Sequence, residues 1–167
     1  LEPLDNPGLD EVARNTLRSR LLARPAQRSL QATLYAAAGN NPTAFGWFIL
    51  GRDGLQLARW PANETIGVNY AWRSYYHGQP ADFVDLEAYR RSERPRIAGT
   101  HLSAAFVSQV SDRWVVAIST PVWAPGGASA GEAPSISLLN AGGNASSGTG
   151  GGTGGGEFLG VVALLYE

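Results

Sequence analysis

The sequence predicts an α+β domain in which helices pack on an antiparallel sheet of about five strands. Three observations predict it. Apolar residues recur at helical spacing up to about residue 38, the period changes to two from about residue 45, and an Asp-Gly turn stands between the first two strand-like runs. The chain has 167 residues, of which 44% are apolar and 16% charged, enough to build one core and too apolar for a disordered segment. Residues 1–167 therefore read as a single domain.

The opening helix is expected over residues 9–38. Leu9, Val12, Ala13, Thr16, Leu17 and Leu21 form one apolar stripe. Asp10 and Glu11 stand at the positive end of the helix dipole, and Arg14, Arg18 and Arg20 follow toward its negative end. Pro25 should break or kink this helix, because it has no amide hydrogen and its ring crowds the preceding turn. A second helical stretch with Leu30, Leu34 and Tyr35 then runs to the terminator Gly39-Asn40-Asn41-Pro42.

Residues 45–50 and 55–60 read as two antiparallel strands joined at Gly51-Arg52-Asp53-Gly54, and Pro61 ends the second. Residues 62–100 are irregular, aromatic and charged, with one or two short helices. Two more strands are expected at about 102–110 and 113–122, turning at Ser111-Asp112. The run Trp114-Val115-Val116-Ala117-Ile118 lacks polar alternation, which predicts a central strand covered on both faces. A last strand, 158–166, closes the chain. Residues 124–156 hold twelve of the 21 glycines. Ordering them would lose much backbone entropy with no side chains to bury, so this stretch reads as a flexible insertion. The order of elements gives a PAS-like arrangement.

Composition excludes several chemistries. All 13 basic residues are Arg, against 14 acidic ones, and no basic stripe suited to a phosphate backbone stands out, so no nucleic-acid partner is expected. Without Lys there is no Schiff-base amine and no P-loop lysine. Without Cys there is no disulfide, thiolate zinc site or thiol nucleophile. No apolar run approaches the roughly 20 residues that span a bilayer. The chain also starts without Met, so it reads as a piece of a longer protein whose anchor or signal peptide lies elsewhere.

Arg73 is the first candidate for binding chemistry. Its guanidinium offers a flat fork of donors matched to a carboxylate, and Trp72, Tyr75 and Tyr76 could exclude water around it. Alternatively, Arg73 pairs with Asp82 or Asp85 to tie down the irregular segment while the aromatics fill the core. Two histidines, His77 and His101, 24 residues apart, are too few to define a metal site, so no metal is expected. Ser103 and Ser108 lack the Gly-x-Ser-x-Gly setting of an activated nucleophile. The charges from Glu87 to Arg96 read as a solvated helix face.

Residues 67–78, Gly-Val-Asn-Tyr-Ala-Trp-Arg-Ser-Tyr-Tyr-His-Gly, resemble the Cache family of extracytoplasmic sensor domains, which carries a Ser-x-Arg-x-Tyr-Phe segment between its second and third sheet strands. Residues 102–122 resemble the family's paired strands, ending in Ile118-Ser119-Thr120-Pro121-Val122. Phe158-Leu159-Gly160-Val161 is similar to its closing Phe-x-Gly-Val strand. The resemblance covers the chain from about Ala44 onward, apart from the Gly-rich insertion. The wording Tyr70 to Gly78, followed by Ala117 to Val122, most resembles ectodomains of bacterial receptor-type serine/threonine kinases.

This resemblance implies a non-enzymatic, extracytoplasmic sensor of a membrane-anchored signalling protein, attached to the membrane only through segments outside this chain. It implies a small-molecule ligand held by Trp72, Arg73, Tyr75, Tyr76, His77, Phe106 and Ser108, with no cofactor. Amino-acid-binding members use an Arg for the ligand carboxylate and acidic residues on later strands for its ammonium. Those later positions here read Phe106-Val107-Ser108 and Leu165. An unpaired ammonium in a closed pocket is costly, so a small carboxylate or another anion is expected rather than a free α-amino acid. The alternative is a docking or dimerisation module without a ligand, forming a homodimer through its first helix. A cavity of a few hundred Å3 between Arg73, Tyr76, Phe106 and the sheet would favour sensing, and a filled space would favour docking.

Overall fold

In the computed structural model, which describes residues 10–41, 43–125 and 156–167, the helices α1 (Glu11–Leu22) and α2 (Pro25–Gly39) precede the sheet. The Asp10 carboxylate accepts from the Ala13 amide at 2.7 Å and caps α1. The expected helix of residues 9–38 is thus two helices, with residue 9 outside the described residues. Pro25 has no N–H to offer the Leu21 carbonyl, which instead takes the Arg24 amide at 3.2 Å, and Pro25 starts the next helix at a position where its fixed φ suits.

The strands are β1 (Gly46–Gly51), β2 (Gln56–Trp60), β3 (His101–Leu102), β4 (Phe106–Val107), β5 (Trp114–Trp123) and β6 (Phe158–Tyr166), and the short helices are α3 (Ser74–His77) and α4 (Leu86–Arg91). They form a six-stranded, wholly antiparallel sheet in the order β2-β1-β6-β5-β3, with β4 also paired to β5. This is the α+β, PAS-like architecture that the sequence predicts. The β1–β2 hairpin turns at Asp53-Gly54, where Gly54 has φ +86°. A Cβ at Gly54 would lie 2.5 Å from the Ala71 Cβ, so the turn and the segment over it meet without a side chain between them.

Two strand expectations need correction. The strand expected at 102–110 is instead two short pieces, because Ser103 interrupts the ladder. Its amide donates to the Ala117 carbonyl at 2.9 Å, but the Ala117 amide returns to the Ser103 Oγ at 2.9 Å. The following turn spans 108–113, closed by the Ser108 amide on the Arg113 carbonyl at 2.9 Å. Nor is β5 covered on both faces: Trp114 is 68% and Ile118 39% exposed. It is central in hydrogen bonding only, since among the described residues no layer covers its outward side chains. Of the expected insertion at 124–156, residues 126–155 lie outside the described residues.

The core occupies one face of the sheet. Phe48 and Leu50 of β1, Val115 and Ala117 of β5, and Val161, Ala163 and Leu165 of β6 meet Tyr70, Ala71, Tyr75, Tyr76, Tyr89 and Ile97 from the irregular segment. Residues 62–100 therefore lie across the sheet as its second layer. At the edge, α2 runs along β2. The Gln31 amide group donates to the Arg59 carbonyl at 2.6 Å and accepts from the Arg59 N–H at 3.1 Å, while Gln27 donates to the Leu57 carbonyl. Side chains thus satisfy main-chain groups that an edge strand would otherwise expose.

A bulge in β2 sets up the site. Ile49 pairs with Ala58 but Leu50 pairs with Gln56, so Leu57 is an extra residue. Strict alternation would put Gln56 and Arg59 on opposite faces. The bulge brings both to the core face, where each is buried.

Candidate functional site

Between the core face of β1 and β2, the segment 65–75 and the turn after β4 lies a cavity of about 30 Å3, room for a water molecule or a group of similar size. Two arginines reach it, Arg59 from the sheet and Arg73 from the overlying layer.

Arg73 precedes α3. Its Nη1 donates to Asp82 Oδ2 at 2.7 Å, and the other Asp82 oxygen accepts from the Ser74 amide at 2.6 Å. The guanidinium carbon lies 4.1 Å from the centre of the Trp72 ring and 4.9 Å from that of Phe106. Arg73 therefore pairs with Asp82, as one of its two sequence readings has it, and also lines the cavity.

Arg59 is only 6% exposed. Its guanidinium makes no hydrogen bond or ion pair with any described residue, and its buried Nε has no partner. Burial lowers its pKa, against the attraction of the Glu64 carboxylate. The sequence does not single this residue out, because an Arg is read as solvent-facing on its charge, although alternation puts it on the side of Leu55 and Leu57.

The remaining wall is aromatic and hydroxylic. Tyr75 packs its ring 5.1 Å from Phe48 and 5.5 Å from Phe106, centre to centre. Burial raises the pKa of both Tyr70 and Tyr75, so their hydroxyls stay protonated at neutral pH. Across the mouth, the Tyr70 hydroxyl donates to Gln109 Oε1 at 3.1 Å, linking the overlying layer to the turn after β4. Thr65 Oγ1 donates to Gln56 Oε1 at 2.5 Å deeper inside.

Of the residues expected around a ligand, Arg73, Tyr75, Phe106 and Ser108 line this cavity, whereas Trp72, Tyr76 and His77 do not. Ser108 mainly builds the turn, its Oγ accepting from the Val110 amide at 3.3 Å. Trp72 supports Arg73 from outside. Tyr76 points the other way, its hydroxyl donating to the Arg52 carbonyl at 2.5 Å beside a second cavity of about 370 Å3. His77 is buried and lies apart from the first cavity. Its Nδ1 accepts from the Gln79 amide at 3.1 Å, which leaves Nε2–H to donate to the Trp72 carbonyl at 3.0 Å, and its ring stands edge-on to Phe83.

Among the described residues, no group of three or more His, Asp or Glu is placed to hold a metal ion, and neither histidine side chain hydrogen-bonds a serine or a carboxylate. No described helix is long and apolar enough to cross a membrane.

No family model matches the sequence, and no curated protein does. Solved structures similar to it include the sensor domain of the V. cholerae histidine kinase DctB, at 17% identity over 90% of this chain and 42% of that one, with a TM-score of 0.47. Another is the extracellular domain of rpHK1S-Z16, described as a histidine kinase, at 18% identity over 93% of this chain and 47% of that one, also with a TM-score of 0.47. The chain spans less than half the length of each.

Proposed function

We propose that this chain is the extracytoplasmic ligand-binding domain of a membrane-anchored signalling protein and that it senses a small anion. The observation that carries this reading is the convergence of Arg59 and Arg73 on one cavity walled by Phe48, Tyr75 and Phe106. Aromatic walls exclude water and strengthen a charge-assisted hydrogen bond made inside them. The attached output reads as a protein kinase of the serine/threonine type, on the wording of residues 70–78 and 117–122.

The mechanism follows from the cavity mouth. In this conformation the space holds a group about the size of a water, so a larger ligand has to displace the turn 108–113 and break the Tyr70–Gln109 hydrogen bond. That turn leads into β5, which is paired with β6 from Val116 to Trp123. A ligand that binds the open form better shifts the population toward it, by no more than its differential affinity for the two forms.

The small volume also favours a second reading, a docking or dimerisation module without a small ligand. A thermal-shift screen against small carboxylates and inorganic oxyanions separates the two. At a ligand concentration 100 times Kd, binding adds about 2.7 kcal/mol, which is about 5–10 °C in Tm for a domain of this size. Anion hits support sensing. No hits, together with a concentration-dependent dimer in sedimentation, support docking.

A further inference from the structure

We infer that Arg59, not Arg73, is the residue that receives the ligand, and that the group it receives is a monoanion of carboxylate type. This rests on the proposed sensing of an anion and assigns its anchor.

The argument is one of charge and partners. Arg73 already has its carboxylate, since Asp82 sits 2.7 Å from Nη1. Among the side chains that line the cavity and their ion-pair partners, two guanidiniums and one carboxylate leave one positive charge, that of Arg59; the exposed Glu64 attracts it without forming an ion pair. Buried charges in proteins are normally paired, because the water they lose must be replaced. Arg59 is buried, lines the cavity and has no such partner among the described residues. Its main chain is held by both Gln31 hydrogen bonds, and its pairing with core-facing Phe48 puts its side chain on the inner face. The Tyr75 hydroxyl, also lining the cavity, makes no hydrogen bond to any described residue. A protonated phenol is a donor. Together they present a cationic fork and a neutral hydroxyl, which is a donor set for two carboxylate oxygens. A dianion would exceed the single available charge.

The test is an NMR titration of the full chain with sodium formate and sodium acetate at constant ionic strength, following the arginine Nε–H signals. The buried Nε–H groups of Arg59 and Arg73 can be assigned through side-chain connectivities. The expected result is a saturable shift of the Arg59 signal, larger than that of Arg73. In parallel, Arg59→Met should keep or raise the Tm of the anion-free protein, since it removes an unpaired buried charge, and should abolish the acetate-induced rise. Arg59→Lys keeps the charge without the fork and should bind acetate more weakly than wild type.

An acetate-induced rise that survives in Arg59→Met, or a titration that moves the Arg73 signal alone, overturns the assignment and leaves the sensing reading intact. If neither anion produces a saturable change in either signal, Arg59 is satisfied by water and both the assignment and the sensing of small carboxylates fall.

Discussion

Arg73 and Asp82 are joined at 2.7 Å across the loop that follows α3, and the same carboxylate holds the Ser74 amide at 2.6 Å. With side chains only 11% and 22% exposed, the pair lies largely out of water. Removing Asp82 would leave a charge and an amide without partners. Asp82→Ala should therefore lower stability by about 1–3 kcal/mol, less than a fully buried pair would lose because part of the pair stays wet. Urea unfolding checks this, and a double-mutant cycle with Arg73→Leu should show coupling of at least about 0.5 kcal/mol.

His77 makes stability depend on pH. Desolvation is the largest influence on it and holds its pKa below the ordinary imidazole value, against the opposing Trp72 carbonyl and Asp82. Protonation would also put a hydrogen on Nδ1, the atom that accepts from the Gln79 amide. The unfolded chain then binds the proton more readily than the folded one. This contribution is fully present above the unfolded value of about 6.5 and is lost as pH falls from there through the lower folded value. Urea midpoints measured between about pH 7.5 and pH 5 should fall for wild type and fall less steeply for His77→Gln.

Two glycines should respond in opposite ways. Gly160 has φ +150°, and a Cβ there would lie 2.0 Å from the Leu50 carbonyl oxygen, inside the β1–β6 pairing. Gly160→Ala should cost more than about 4 kcal/mol or prevent folding. Gly39 ends α2 with no atom of the described residues within 4 Å of an added Cβ. Gly39→Ala should be neutral or add up to about 1 kcal/mol. Chemical denaturation of the two variants side by side checks both directions.

Gln31 fastens the outer edge of β2 behind Arg59. Gln31→Leu removes one donor and one acceptor for the Arg59 main chain and should lower stability by about 1–3 kcal/mol. Amide exchange localises the effect: the Arg59 N–H should lose protection while those of β6 keep it.

The parts of this structure that depend on local chemistry were legible in the sequence. The acidic start of α1 at Asp10 and Glu11, the Asp53-Gly54 hairpin and the long strand β5 come from short-range preferences that the tertiary structure keeps. Arg73 stands out for its aromatic flanks, and the structure shows its pairing with Asp82 and its place on the cavity wall. The rest depends on long-range partners. Ser103 breaks a strand because its hydroxyl meets Ala117, fourteen residues away. His77 and Tyr76 turn from the cavity because main-chain carbonyls at Trp72 and Arg52 accept from them. Arg59 enters the site by pairing with core-facing Phe48, and the Leu57 bulge brings Gln56 to the same face; both depend on the pairing of β2 with β1 and on no single segment.

Anomalous diffraction from crystals soaked in sodium bromide tests the central claim most directly, because bromide is a small monoanion that scatters distinctively. The account predicts a bromide peak inside the cavity, in hydrogen-bonding contact with the Arg59 guanidinium and the Tyr75 hydroxyl. A cavity with no anomalous peak while bromide occupies other surface sites, or an Arg59 guanidinium found paired with a carboxylate of its own chain, would contradict it.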